Sequence, residues 1–236
     1  MVLQVLLDPI QRIEHIKKEL QWDGLSGIVE DPNAAYCPLS ITATPDKLKP
    51  VVRGRQEALM KLLGRVGITA YDPGTAPLSS DIYLTLAPDL VYRVDTSKIA
   101  SSKFFTGHNL MASSGFGVEQ EVAKRLIRVP VILMDKNIRI SRMMPNRTIY
   151  LQYEDFEEQA GELGEVFRML KQFEPGIGFN DGVPVLLGWG YGSRQPVDLE
   201  EEVYSAFPDL KFKYDGGKDI LQMRTLNPEA CYENGK

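Results

Sequence analysis

Residues 111–126 constrain this chain more than any other stretch. They read Met-Ala-Ser-Ser-Gly-Phe-Gly-Val-Glu-Gln-Glu-Val-Ala-Lys-Arg-Leu, between the apolar pair Phe104-Phe105 and the apolar run 129–134. Small residues and two glycines opening a helix between two strand-like runs describe a strand, tight turn, helix, strand path. In α/β proteins that path points backbone N–H groups at an anionic ligand. Ser113 or Ser114 caps the helix, and Gly115 and Gly117 allow close backbone approach. These four residues are the expected substrate-binding turn.

Helix geometry separates the two glutamates after the turn. Glu119 shares a face with Val122, Ala123 and Leu126, at i+3, i+4 and i+7, so it faces the sheet at its carboxyl edge. A carboxylate placed there is costly unless it is paired or used. Glu121 has Arg125 at i+4 and reads as a surface ion pair, with Gln120 and Lys124 also turned outward.

The rest of the chain repeats the alternation. A strand at 35–42, a helix opened by Pro45-Asp46 and closed by Gly64 and Gly67, and a strand at 68–71 form a βαβ unit ending in Asp72-Pro73. Residues 74–80 are turn-rich, 82–86 alternate as a strand, and 89–103 carry a helix. After the run at 129–134 come a polar loop with Arg139, Arg142 and Arg147, a strand at 148–153 and a helix at 156–173. Residues 1–34 are expected as an N-terminal appendage with helical spacing at 10–20, 35–175 as the α/β core, and 176–236 as a C-terminal extension. Within that extension 176–182 reads as a linker, 183–187 as a strand, 199–206 as a helix and 210–214 as a strand. The fold class expected is α/β: a parallel-sheet, Rossmann-like (flavodoxin-like) three-layer sandwich with N- and C-terminal extensions.

Further candidates lie at the ends of these elements. Asp72 ends a strand at the edge where ligands of parallel sheets collect. Asp95 lies on the helix after Pro88. His108 just precedes the Gly turn and is a candidate ligand contact. Tyr36 and Tyr71 read as core or rim packing.

Composition narrows the function classes. The 236 residues carry a net charge of −5 without a basic stripe, against nonspecific nucleic-acid binding. Two histidines and two cysteines, Cys37 and Cys231, lack metal-ligand spacing, so no metal and no cofactor is expected. Two reduced cysteines fit a cytoplasmic protein. The opening residues read as too short an apolar run for a signal peptide, and no run reaches the roughly 20 residues of a membrane span.

The path through Tyr71-Asp72-Pro73, Ser114-Gly115-Phe-Gly-Val-Glu119, Ala123 and 129–132 resembles the nucleoside 2-deoxyribosyltransferase-like family, over about residues 35–155. That resemblance implies a nucleoside or nucleotide partner and cleavage or exchange of its N-glycosidic bond. It implies Glu119 as nucleophile at the anomeric carbon, with Asp72 or Asp95 as supporting acids, and a homodimer or other homo-oligomer. The chain has Ser113 where the family usually has Asp, and Gly115-Phe116 in place of its Gly-Thr/Ser step. More distantly, the turn resembles that of the lysine-decarboxylase-like phosphoribohydrolases, a register that places Glu121 at the functional position. A non-catalytic nucleotide-sensing or assembly protein of the same fold is the alternative.

Overall fold

A computed structural model describes residues 3–7, 28–40, 44–74, 88–110, 113–136 and 145–212. The expected helix at 10–20, the strand at 82–86, Arg139, Arg142 and Cys231 lie outside the described residues. Five parallel strands form the main sheet: β2 (Asp31–Tyr36), β3 (Thr69–Tyr71), β4 (Ser102–His108), β5 (Val129–Asp135) and β6 (Ile149–Tyr153), in the order β3-β2-β4-β5-β6. The helices are α1 (Lys49–Arg65), α2 (Pro88–Ser101), α3 (Ser114–Arg125), α4 (Phe156–Leu170) and α5 (Leu199–Ala206).

Two cores, one on each face, explain the near-continuous apolar strands. On one face Ala35, Phe104, Val131, Leu133 and Leu151 pack against Leu59 and Leu63 of α1, Val166 and Phe167 of α4, and Val203 of α5. On the other, Tyr36, Phe105, Ile132 and Tyr150 pack against Ile99 of α2 and against Phe116, Val122, Ala123 and Leu126 of α3. This is the expected three-layer α/β arrangement.

The strand expected at 35–42 sits earlier, at Asp31–Tyr36. Its last pairing bond is Cys37 N–H to Tyr71 O, 2.9 Å, and Pro38, which has no N–H, cannot extend the ladder. The helix expected to reach 173 stops at Leu170, and Phe173 opens a strand instead.

A second, antiparallel sheet was not expected. It comprises β1 (Leu3–Leu7), β7 (Phe173–Asn180), β8 (Val183–Gly190) and β9 (Val197–Asp198), in the order β1-β7-β8-β9. Residues 176–182 are therefore mostly strand, not linker. Asp181 and Gly182 have φ of 49° and 81° and join Asn180 to its partner Val183. A two-residue Asp-Gly loop with both φ positive is a type I′ hairpin turn, whose twist suits the flanking strands. At 210–214 the expected strand is reduced to a 3-10 turn, Pro208–Leu210, and a bridge from Lys211 to Leu151 on the outer strand β6; 213–214 lie outside the described residues.

Candidate functional site at the carboxyl edge of the sheet

The chain reverses its winding between β2 and β4. From β2 it passes to β3 on one side, then returns to place β4 on the other. The carboxyl ends of β2 and β4 therefore flank the crevice where open α/β sheets bind ligands. Tyr36 ends β2, and Gly107-His108 ends β4.

Gly107 is tightly packed at this point. A Cβ there would lie 3.0 Å from Pro38 O, 3.1 Å from Pro38 Cγ and 3.2 Å from Phe116 Cε2. The missing side chain lets the loop after β2 and the first turn of α3 close over β4. Ser113 caps α3, its Oγ accepting from Phe116 N at 3.4 Å. Gly115 and Gly117 have no comparable constraint. A Cβ on Gly117 would meet nothing within 4 Å, and one on Gly115 would meet only Ser113 Oγ at 3.7 Å. Ser114, Gly115 and Gly117 are exposed.

Glu119 lies just beyond this turn, half-buried, with its carboxylate directed at β2. The Tyr36 hydroxyl donates to Glu119 Oε1 at 3.2 Å. Tyr36 is fully buried, its ring stacked on Tyr71 at 5.7 Å and on Phe105 at 5.9 Å. Burial, with the charge of Asp95 adding to it, pushes the Glu119 carboxyl up to about 8, although the Tyr36 hydroxyl favours its ionised form. Asp95, on α2, is itself buried. Burial, then the charges of Asp95 and Asp72, likewise raise the Tyr71 phenol. Lys98 sits 5.1 Å above the Tyr71 ring.

The structure thus brings Glu119 and Asp95 together with Tyr36 and Tyr71, on the face covered by α2 and α3. Asp72 is at the same sheet edge but turned to the α1 side. Its Oδ1 accepts from Gly74 N at 2.7 Å, and it shares the Gln56 side chain, whose Nε2 also donates to Cys37 O at 2.8 Å. Burial raises the Asp72 carboxyl against the opposing effects of the Gly74 and Gln56 hydrogen bonds and of Arg53. His108 also faces the α1 side. Its Nδ1 is 2.9 Å from Tyr153 Oη, and its ring packs against Tyr153 and Phe156. Burial, with Arg55 adding to it, pushes the imidazole down to about 3, so His108 is neutral at physiological pH.

Gln120 and Lys124 are not turned outward. Both are buried, and Gln120 donates to Thr148 Oγ1 at 3.1 Å and to Tyr150 Oη at 3.4 Å. Lys124, rather than Arg125, pairs with Glu121, at 2.7 Å. The segment leading into β6 covers this flank of α3, so the helix is buried on more than one side. Tyr36 was missed as a partner of Glu119, because the two are 83 residues apart and no local spacing links them. Gly107 left a faint signal, a glycine ending an apolar strand.

Among the described residues no group of three or more His, Cys, Asp or Glu side chains could hold a metal ion, and no helix is long and apolar enough to cross a membrane. No protein-family model and no curated protein matches the chain. Among solved structures, it aligns with the CMP N-glycosidase BcmB of Clostridium botulinum at 15% identity and a TM-score of 0.42, over 55% of this chain and 96% of that one.

Proposed function

We propose that the chain cleaves or exchanges the N-glycosidic bond of a nucleoside or nucleotide. The observation that carries this reading is Glu119 at the switch point of the sheet, held by the Tyr36 hydroxyl and coupled in charge to Asp95.

Two carboxyls coupled in charge in this way titrate as a pair. Near neutral pH the pair holds one proton and one negative charge. That state supplies what glycosidic cleavage needs, a carboxylate for the cationic sugar and an acid for the departing base. In the free protein burial and the charge of Asp95 keep that proton on Glu119; on ligand binding we assign its transfer to Asp95, favoured by the Tyr36 hydroxyl, which leaves Glu119 as nucleophile and Asp95 as proton donor. A Glu119 oxygen bonds to C1′ as the C1′–N bond breaks; the bond's electron pair stays on the base nitrogen, which takes the proton from Asp95. Water, or an acceptor base in exchange, then displaces Glu119 from C1′ and gives up a proton to Asp95. Asp72 is assigned to ligand orientation from the α1 side of the crevice. His108, neutral and held by Tyr153 and Phe156, lines the end of β4 without supplying charge.

The turn supports an anionic group on the ligand. Each glycine in a helix costs about 1 kcal/mol relative to alanine, and no protein atom crowds Gly117 to require it. An open backbone at a helix N-terminus favours phosphate or another anion. Ser113, Ser114, Gly115 and Gly117 are therefore assigned to substrate binding. A sensor that binds without turnover is the second reading. It is favoured by Ser113, whose hydroxyl is used by the helix cap, leaving a non-acidic residue at the head of the turn.

Base release separates the two. Ribo- and deoxyribonucleosides and their 5′-monophosphates, incubated with and without an acceptor base, should release free base with the native chain and not with Glu119→Ala. Ligand-induced stabilisation without release from any substrate would favour the sensor.

A further inference from the structure

We propose that Arg128 is the positioning residue for the site, fixing Tyr36, Asp95 and Glu119 relative to one another from the opposite edge of the sheet. The inference rests on the reading of Glu119 and Asp95 as the reacting pair.

Arg128 is 3% exposed, at the step from α3 into β5. Its guanidinium reaches all three elements that carry the site. Nε donates to Leu126 O at 2.9 Å, at the end of α3, which bears Glu119. Nη1 donates to Ala100 O at 3.3 Å, in the last turn of α2, which bears Asp95, and to Ser102 O at 3.2 Å, where β4 begins. Nη1 also pairs with the carboxylate of Glu30, immediately before β2, which ends in Tyr36. The planar, fixed fork of donors suits one side chain to several acceptors in a way a lysine ammonium does not.

The backbone holds Arg128 in place. Ile127 has φ 54°, the left-handed turn that ends α3, and Arg128 N–H closes it on Ala123 O at 2.9 Å. From Leu126 back to Glu119 is about 10 Å of helix, and from Ala100 back to Asp95 about 7–8 Å, at 1.5 Å per residue. Helices this short act as rods, so a splay of their carboxyl ends moves the acidic side chains at the other edge.

The test uses the full chain with carboxyl-labelled glutamate. Glu119 is assigned by its loss in Glu119→Gln, then titrated by NMR in the native protein, Arg128→Lys and Glu30→Gln. Thermal unfolding establishes that each variant is folded at the assay temperature. Loosening the clamp admits water and separates the two carboxyls, so Glu119 should titrate lower by about half a pH unit or more in Arg128→Lys. Glu30→Gln should move it in the same direction by less. The pH profile of base release should move with the titration. Folded variants in which Glu119 titrates as in the native protein would overturn the proposal. If Arg128→Lys does not fold, Glu30→Gln decides by the same criterion. A native protein that releases no base would sink the proposed function, while the carboxyl titration would still decide the role of Arg128.

Discussion

Replacing Glu119 by glutamine should make the protein more stable as the pH rises, and the reason is the cost of ionising this carboxyl. Glu119 is raised from 4.5 to about 8, by burial first and by Asp95 second. The folded chain therefore holds a proton that the unfolded chain releases near its ordinary value. The stability linked to that proton is fully present below about pH 4.5 and is lost as the pH climbs through about 8. At about 1.36 kcal/mol per pH unit the ceiling on the loss is about 5 kcal/mol. Glu119 is half-buried, and solvent access reduces this to about 1–3 kcal/mol. Glutamine keeps the shape and can still accept from Tyr36, but it never ionises. Melting temperatures of Glu119→Gln and native protein should converge near about pH 4.5 and separate progressively by about pH 9, the variant ending roughly 3–10 °C higher. Parallel melting curves across that range would contradict a raised Glu119 carboxyl and mean that it titrates as an ordinary surface carboxyl.

Asp95→Asn removes the like charge, so Glu119 should titrate lower while staying above its ordinary value, because burial is the larger cause. Base release should fall by about 10²–10⁴ with loss of the proton donor, and the decline in kcat/KM expected of the native protein above about pH 8, where the pair loses its proton, should be absent; a decline retained in the variant would contradict the shared proton. Gly117→Ala places a methyl group where nothing lies within 4 Å, so the melting temperature should rise by about 2–4 °C from helix propensity. Its affinity for nucleoside 5′-monophosphates should fall, and unchanged binding by calorimetry would remove the turn from the ligand site. Tyr204→Phe deletes a hydroxyl that accepts from Tyr150 N and donates to Tyr150 O, each at 3.1 Å, on the outer strand β6. It should cost about 1–3 kcal/mol and increase aggregation through the freed edge; a denaturation midpoint within error of the native one would show the clasp to be dispensable.

The elements readable from the sequence are those whose burial follows one period. The i+3, i+4, i+7 face of α3 placed Glu119 toward the sheet, and the apolar runs gave β5 and β6. The same helical wheel misplaced Gln120 and Lys124, because it assumes one buried face, whereas α3 is also covered by the segment entering β6. The antiparallel sheet was missed for two different reasons. Asp181-Gly182 is a local hairpin signal, but it lies among the closely spaced glycines of 176–182, which also read as a linker. The pairing of Leu3 with Asn180 has no local signature at all. In the site, Gly107 and the Tyr36–Glu119 bond depend on contacts between distant segments, as does the convergence on Arg128 of Glu30, Ala100 and Leu126.

A trapped intermediate would show directly whether the Glu119 carboxylate bonds to the anomeric carbon. A 2′-deoxy-2′-fluoro nucleoside or its 5′-monophosphate destabilises the cationic sugar and slows breakdown of a glycosyl ester. Intact-mass measurement after a short incubation, followed by peptide mapping, should find one sugar adduct on the peptide carrying Glu119, and none on Glu119→Gln. Base release with no adduct on Glu119, or with the sugar on another residue, would contradict that bond.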